Sequence, residues 1–339
     1  MLKPYLAKVM NYQHLSAKEA EQAMDIIMSG QATPAQIAGY LVALRMKGET
    51  VEEILGSARA MRAHAQTVSV RGAPLVDTAG TGGDGAHTFN ISTAAAFVVA
   101  GSGRRIAKHG NRAASSRCGS ADVLEALGVR VALTPPEVAR CIEEVGIGFL
   151  YAPNFHPAMK HAIGPRRELG QRTLFNLLGP LTNPAGAEFQ LLGVYEADLV
   201  SPLAEVLREL NIGGAFVVHG CGGLDELTTQ GPNHVSQVVD GRVVSYQLDA
   251  ADFGLRRAAP EDLRGGDPSE NAAILRAILE NRDDSPRRDV VLLNSAAAIA
   301  AQTGDLPAAL AEAEQSLSSG AALDRLEALI AFTRQEAYA

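Results

Sequence analysis

The chain has 339 residues, 47% of them apolar, enough to bury one large core or two unequal ones. Its net charge of −8 opposes long-range attraction to nucleic acid or to an anionic membrane surface and leaves room only for a local basic pocket. Cys118, Cys141 and Cys221 are odd in number and form no C-x-x-C pair, so neither a disulfide framework nor a zinc site is expected. No stretch approaches the roughly 18 apolar residues of a membrane span, and residues 1–16 carry Lys3, Lys8 and His14 without a long apolar run; a cytoplasmic protein is expected.

Residues 1–68 read as wholly helical, because helix starts are written in capping chemistry. Ser16 with Glu19 and Thr50 with Glu53 are capping boxes, and Thr33 precedes Pro34 at a first helical position. Gly30 and Gly48 stand where helices should stop, and Ala17, Ala20, Met24 and Ile27 mark one apolar face. From about residue 71 short apolar runs at 75–78, 105–108, 148–151, 190–194 and 215–219 alternate with helical stretches at 90–100, 120–127, 134–145 and 199–210. That alternation predicts a largely parallel sheet wrapped by helices, with ligands gathering at the strand ends. A hairpin over 236–248 turns at Asp240-Gly241, and helices follow from Glu270, their Ala-rich runs 296–301 and 308–313 suited to close packing.

Four segments carry chemistry. The first, Asp77 to Gly85, places a glycine-dense loop directly after a strand, where backbone N–H groups can face an anion unobstructed by Cβ atoms; an ordinary tight turn is the plainer alternative. It is neither a P-loop nor a dinucleotide fingerprint. Second, Asn90 is placed as a helix N-cap, with Ser92 and Thr93 in a first turn whose open backbone donors suit phosphate oxygens. In the third, Lys108 to Ser120, several cations and small hydroxyl side chains sit in a loop after a strand, in a chain that is otherwise acidic. The fourth is the second glycine-rich strand exit, Gly220 to Glu226, whose Asp225-Glu226 pair suits magnesium shared with phosphate oxygens.

The motifs G-T-G-G-D, N-I-S-T, K-H-G-N-R-x-x-S-S, R-T-L-F-N-L-L-G-P-L-T-N-P (Arg172 to Pro184) and G-G-L-D-E, in this order, closely resemble the anthranilate phosphoribosyltransferase family over nearly the whole chain. The resemblance implies an α/β class fold, a small all-helical domain plus a larger α/β domain with a largely parallel central sheet, of the nucleoside phosphorylase and phosphoribosyltransferase type. Residues 1–70 would form the small domain, with roughly 165–185 returning to it, and 71–164 with 186–339 the large one. It implies transfer of the phosphoribosyl group of phosphoribosyl pyrophosphate to the amine of anthranilate, with magnesium, in tryptophan biosynthesis, by a homodimer built through the helical domain. The resemblance places Gly80, Gly83, Asp84, Thr88, Asn90, Ile91, Ser92 and Thr93 on the phosphoribosyl pyrophosphate. Lys108, His109, Gly110, Asn111, Arg112, Ala113, Ala114, Ser115, Ser116 and Ser120 complete that side. Asn111 and Arg166 would hold anthranilate, Arg166 through its carboxylate, while Ser92, Asp225 and Glu226 would hold magnesium. His109, Tyr151 and His156 match positions near the acceptor channel. Cys118 stands where the family leads one to expect serine, and Arg117 where lysine is frequent.

Cleavage of the ribose–pyrophosphate bond leaves negative charge on the departing phosphates, to be stabilised by magnesium, Lys108 and backbone donors, with Asn111 orienting the amine. An anilinic nitrogen is neutral near pH 7, so no acid or base is assigned and positioning carries the catalysis. A Cys118 thiolate paired with His109 is a competing reading of the cationic loop, but no third orienting group accompanies it. A pyrimidine nucleoside phosphorylase would share the plan, yet a Lys-His-Ser lead into the glycine loop is expected there, and Asp77-Thr78-Ala79 stands here. A non-catalytic nucleic-acid-binding relative should be basic and could lose the acidic pair; this chain is acidic and retains Asp225 and Glu226.

Overall fold

The structure is a computed structural model that describes residues 1–113 and 117–335. The chain opens with four helices, α1 (Lys3–Met10), α2 (Ala17–Met28), α3 (Pro34–Lys47) and α4 (Val51–Ala63). All three starts expected from capping chemistry form boxes, at Ser16, Thr33 and Thr50. One of them does more than close a helix. The Glu53 carboxylate accepts the backbone N–H groups of Thr50 and Leu15, both at 2.9 Å, and Lys47 Nζ at 2.8 Å. Both side chains are sealed from solvent, Lys47 at 2% and Glu53 at 0% exposure, so one carboxylate joins the entries of α2 and α4 to the end of α3.

Seven strands then form one sheet in the order β3-β2-β1-β4-β5-β6-β7. Strands β1 (Leu75–Gly80), β2 (Arg105–Gly110), β3 (Ile147–Tyr151), β4 (Phe189–Gly193) and β5 (Gly214–His219) are mutually parallel, as the alternating pattern predicts. The hairpin of β6 (Asn233–Val239) and β7 (Arg242–Leu248) adds antiparallel to β5, turning at Asp240 and Gly241 with positive φ of 50° and 70°. Helix α5 (Ile91–Gly101) links β1 to β2, and α6 (Ser120–Ala126) and α7 (Pro135–Val145) link β2 to β3. β1 lies between β2 and β4, so the chain builds outward to β3 and then crosses back over β1's other side. Such a reversal opens a crevice at the strand ends.

The β3-to-β4 crossover carries α8 (Ala152–Phe155), α9 (Ile163–Leu169) and α10 (Leu174–Leu181). α8 stays against β3, whereas α9 packs on α3 and α10 on α3 and α4, and Leu174, Leu177 and Leu178 share a continuous apolar core with Met24, Leu41, Leu192 and Leu203. Leu203 belongs to α11 (Val200–Glu209), which covers that sheet face. The opposite face packs on α5, α12 (Pro268–Leu279), α13 (Pro286–Thr303), α14 (Leu306–Ser318) and α15 (Ala321–Gln335). α5 is buried nearly all round, which explains its Ala-Ala-Ala-Phe-Val-Val run, and the Ala-rich stretches of α13 and α14 let helices approach closely, as expected. Among the described residues, no helix is long and apolar enough to cross a membrane.

Glu53→Ala should lower chemical-denaturation stability by about 3 kcal/mol, because it removes the counter-charge of the enclosed Lys47 ammonium and the acceptor of the Leu15 and Thr50 N–H groups. A loss below about 0.5 kcal/mol would show that the helical body does not rely on this pair.

Candidate active site

The exits of β1, β2 and β4 and the loop after β5 meet on one point. After β1, Gly82, Gly83 and Gly85 adopt positive φ of 68°, 79° and 74°, a path that side-chain-bearing residues rarely follow. Thr81 N donates to Gly193 O at 2.9 Å and Gly82 N to Asp225 Oδ2 at 2.6 Å, which anchors the loop to β4 and to the acidic turn. A Cβ on Gly80 would sit 2.5 Å from Asp225 Oδ2, and one on Gly193 would lie closer still to the Asp225 carbonyl. Glycine at both strand ends is therefore what admits the acidic turn. The N–H groups of Gly83, Asp84 and Gly85 make no hydrogen bond among the described residues, leaving three consecutive donors for an anion.

The start of α5 corrects one expectation. Asn90 occupies the N-cap position, but its side chain makes no cap bond; Nδ2 donates to Cys118 O at 3.1 Å and Oδ1 accepts from Asn271 Nδ2 at 2.9 Å. The first-turn donors are not open either. Ile91 N bonds to Phe89 O, Thr93 N bonds to Asn90 O, and Ser92 N donates to Glu226 Oε1 at 3.1 Å. A carboxylate from the acidic turn caps this helix from outside, where the positive end of the dipole favours it. What α5 still offers a ligand is side-chain oxygen: Ser92 Oγ, and Thr93 Oγ1, which is buried without a partner.

Lys108 lies beneath this cluster, fully enclosed. Its Nζ donates to the Thr78 carbonyl, to Thr78 Oγ1 at 3.3 Å and to Ser92 Oγ at 3.4 Å. Burial lowers its pKa, while Asp77 and Glu226 push it back up. Against this one cation stand three crowded carboxylates. Asp225 is held well above the usual range by burial, then by Glu226 and Asp84; Glu226 is pushed up to about 7 by burial, with Asp84 adding to it against Lys108 and Ser92. Two neighbouring carboxylates that resist ionisation mark a pocket short of positive charge. A divalent cation would relieve that. Among the described residues no three His, Cys, Asp or Glu side chains form a ready-made metal cage, which suits an ion that takes one or two carboxylates and completes its shell with phosphate oxygens and water.

The acceptor side is drier. His109 and His156 pack with ring centroids 5.1 Å apart, and burial lowers their pKa values to about 3 and about 4, so both are neutral at pH 7. His109 Nδ1 lies 3.1 Å from Gly179 O, and a carbonyl only accepts, so Nδ1 carries the proton and buried Nε2 keeps a bare lone pair. The Arg166 guanidinium stacks 5.1 Å over the Phe175 ring, is lowered in pKa by burial and pairs with no carboxylate among the described residues.

Other expected residues bond to neighbours within the loop and α6. Arg112 turns from the loop to Asp122 at 3.0 Å, Glu125 at 2.6 Å and Tyr151 Oη at 3.2 Å. Asn111 Oδ1 accepts Arg112 N at 2.8 Å, and Ser120 Oγ donates to Asn111 O at 3.2 Å, which shapes the turn after β2. Gly110 approaches Ser120 and Phe149 too closely for a Cβ, Ala113 N donates to Asp122 at 2.9 Å, and Thr88 bridges to Arg264. Ala114, Ser115 and Ser116 lie outside the described residues. Burial raises the Cys118 thiol to about 11, the opposite of an activated nucleophile. Two residues passed unnoticed in the sequence. Asp77, fully buried, accepts His109 N at 3.1 Å and Asn183 Nδ2 at 2.7 Å, and Arg172 reaches the Gly83 carbonyl. The only sequence signal for them was a charged residue at a strand end and an Arg beside a helix cap.

Comparison with known proteins agrees with this geometry. A family model described as glycosyl transferase family, a/b domain, matches residues 72–323, and one described as glycosyl transferase family, helical bundle domain, matches residues 3–65. Anthranilate phosphoribosyltransferase of Moorella thermoacetica is 57% identical over 334 residues, covering 98% of each chain. The crystal structure of anthranilate phosphoribosyltransferase from Thermus thermophilus superposes with a TM-score of 0.92 at 47% identity, covering 97% of this chain and 99% of that one. The Saccharomyces cerevisiae enzyme in complex with PRPP and Mg gives a TM-score of 0.91 at 31% identity, covering 98% of each chain. With relatives this similar over nearly its full length, the chain belongs to the anthranilate phosphoribosyltransferase family.

Proposed function

We propose that the protein transfers the phosphoribosyl group of phosphoribosyl pyrophosphate to the amine of anthranilate, releasing pyrophosphate, as a step of tryptophan biosynthesis in the cytoplasm. The observation that carries this reading is the direct bonding of the glycine loop and the α5 start to one acidic pair, Gly82 to Asp225 and Ser92 to Glu226, with Lys108 beneath. The diphosphate sits on the open N–H groups of Gly83, Asp84 and Gly85. Asp225, Glu226 and Ser92 would hold magnesium, which would supply neutralising charge to the departing pyrophosphate.

The bond from ribose C1 to the pyrophosphate oxygen breaks and a C1–N bond forms, so negative charge grows on the diphosphate. The open loop amides need little reorganisation to face that charge, and Lys108 lies beneath them as a fixed cation, which is where the barrier falls. Arg166 takes the anthranilate carboxylate: a half-buried guanidinium without an anion is under-satisfied until one arrives. The neutral imidazoles of His109 and His156 line the approach without adding charge. Asn111, in the turn beside them, orients the amine.

The helical body, residues 1–70 with 165–185, forms the acceptor wall and the homodimer surface, and 71–164 with 186–339 form the catalytic body. Met10, Tyr12 and Met46 support the dimer, since these large apolar side chains stand exposed on or beside α1 and α3.

Anthranilate fluorescence should fall when phosphoribosyl pyrophosphate and magnesium are both present and persist when magnesium is withheld; persistence in both cases would remove the reading. Arg166→Ala should raise the anthranilate KM on the order of tenfold or more while sparing that of phosphoribosyl pyrophosphate. An unchanged acceptor KM would take the carboxylate from Arg166. Replacing Asp225 and Glu226 together by alanine should cut magnesium-dependent turnover at least about a thousandfold, as loss of the principal charge stabilisation does, and full activity in that variant would move the metal elsewhere.

A further inference from the structure

Among the described residues, the glycine loop has one hydrogen-bonded tether from the crossover segment. Arg172 lies between α9 and α10, in the crossover that packs with the helical body, and its Nη2 donates to the Gly83 carbonyl. The guanidinium is fixed from behind, stacked 4.1 Å from the Tyr195 ring centroid, with Glu196 Oε1 at 4.0 Å. Tyr195 N in turn donates to Thr81 Oγ1 at 3.2 Å, so the stacking partner belongs to the same loop assembly. Approach is close: a Cβ on Gly83 would stand 3.4 Å from Arg172 Nε.

The consequence follows from peptide geometry. The Gly83 carbonyl and the Asp84 N–H lie on one planar trans unit and point to opposite sides. Holding the carbonyl towards Arg172 therefore turns the Asp84 N–H away from it, into the row of open donors at Gly83, Asp84 and Gly85. Without that hold, flanking residues at positive φ leave the peptide plane free to rotate, and the donor is aimed only part of the time. We propose that Arg172 is a positioning residue for the donor site, clamping the Gly83 carbonyl so that the Asp84 N–H is presented to the diphosphate. This rests on the reading above that the glycine loop holds the diphosphate. It also makes the segment that carries Arg166, the acceptor's anchor, responsible for the shape of the donor loop.

Arg172→Met keeps the stem against Tyr195 and removes the donor, and Arg172→Lys restores one donor. With its side chain 40% exposed, the residue can be changed without disturbing a core. Inorganic pyrophosphate with magnesium, titrated calorimetrically, should bind the Met variant about tenfold more weakly, the cost of one charged hydrogen bond, with partial recovery in the Lys variant. In turnover, the KM for phosphoribosyl pyrophosphate should rise by a similar factor, while the anthranilate KM at saturating donor and the melting temperature of the free protein stay at parental values. Arg167→Met, which removes an equal charge from an exposed neighbour, should leave both donor constants unchanged. Pyrophosphate affinity within twofold of the parent in Arg172→Met, or an equal loss in Arg167→Met, would overturn the proposal, and the pyrophosphate titration decides it whatever acceptor the enzyme uses. Parental protein that binds pyrophosphate but leaves anthranilate unconsumed would instead count against the functional reading alone.

Discussion

The site depends on how closely an acidic turn can be packed against two strand ends. Asp225 fits because Gly80 and Gly193 carry no Cβ, and once there its carboxylate takes the Gly82 N–H while Glu226 takes that of Ser92. The same packing partly desolvates both carboxylates and sets Asp84 beside them, which raises the affinity of each for a proton. Among the described residues of the site, Lys108 is the buried cation, and it is shared with Asp77. The free protein thus stores an unfavourable charge arrangement that a cation and a polyanion entering together would resolve, and a metal-chelated diphosphate has that composition.

The second organising feature is the crossover from β3 to β4. It leaves the sheet, packs with α3 and α4, and returns at β4. Along it lie Arg166, Arg172, the Gly179 carbonyl that sets the His109 tautomer, and Asn183, which holds Asp77 and the Ala107 carbonyl. A helical body that shares its apolar core with α11 and with the β4–β5 face cannot shift far without disturbing that core. The two substrate sites are thereby referenced to one framework, and small changes in the crossover should be felt at both.

Much of this was legible in advance because it is local. Ser16, Thr33 and Thr50 write their helix starts within four residues, and the strand-and-helix alternation after residue 71 emerges with the boundaries displaced by one or two positions. The glycine loop and the Asp225-Glu226 pair could be recognised because their chemistry demands particular residues at fixed short spacing. Side chains with more than one attractive partner escaped. Asn90 was suited to cap α5, yet Cys118 and Asn271 hold it, and Glu226, 134 positions from Ser92 in the chain, does the capping. Arg112, expected on the phosphate side, pairs with Asp122 and Glu125, contacts that its sequence neighbourhood did not announce.

The sequence by itself determined the element types, the parallel sheet, the family and the four segments that the fold gathers at the strand exits, since each follows from periodicity, capping or short motifs. Only the tertiary structure decided which donors remain open: the amides of Gly83 to Gly85 and not the first turn of α5. It alone also revealed that Asp77 meets Asn183, 106 positions away, and that Arg172 meets Gly83. The physical reason is competition. A polar group binds whichever partner folding brings within about 3 Å, and that choice is made by packing between elements far apart in the chain.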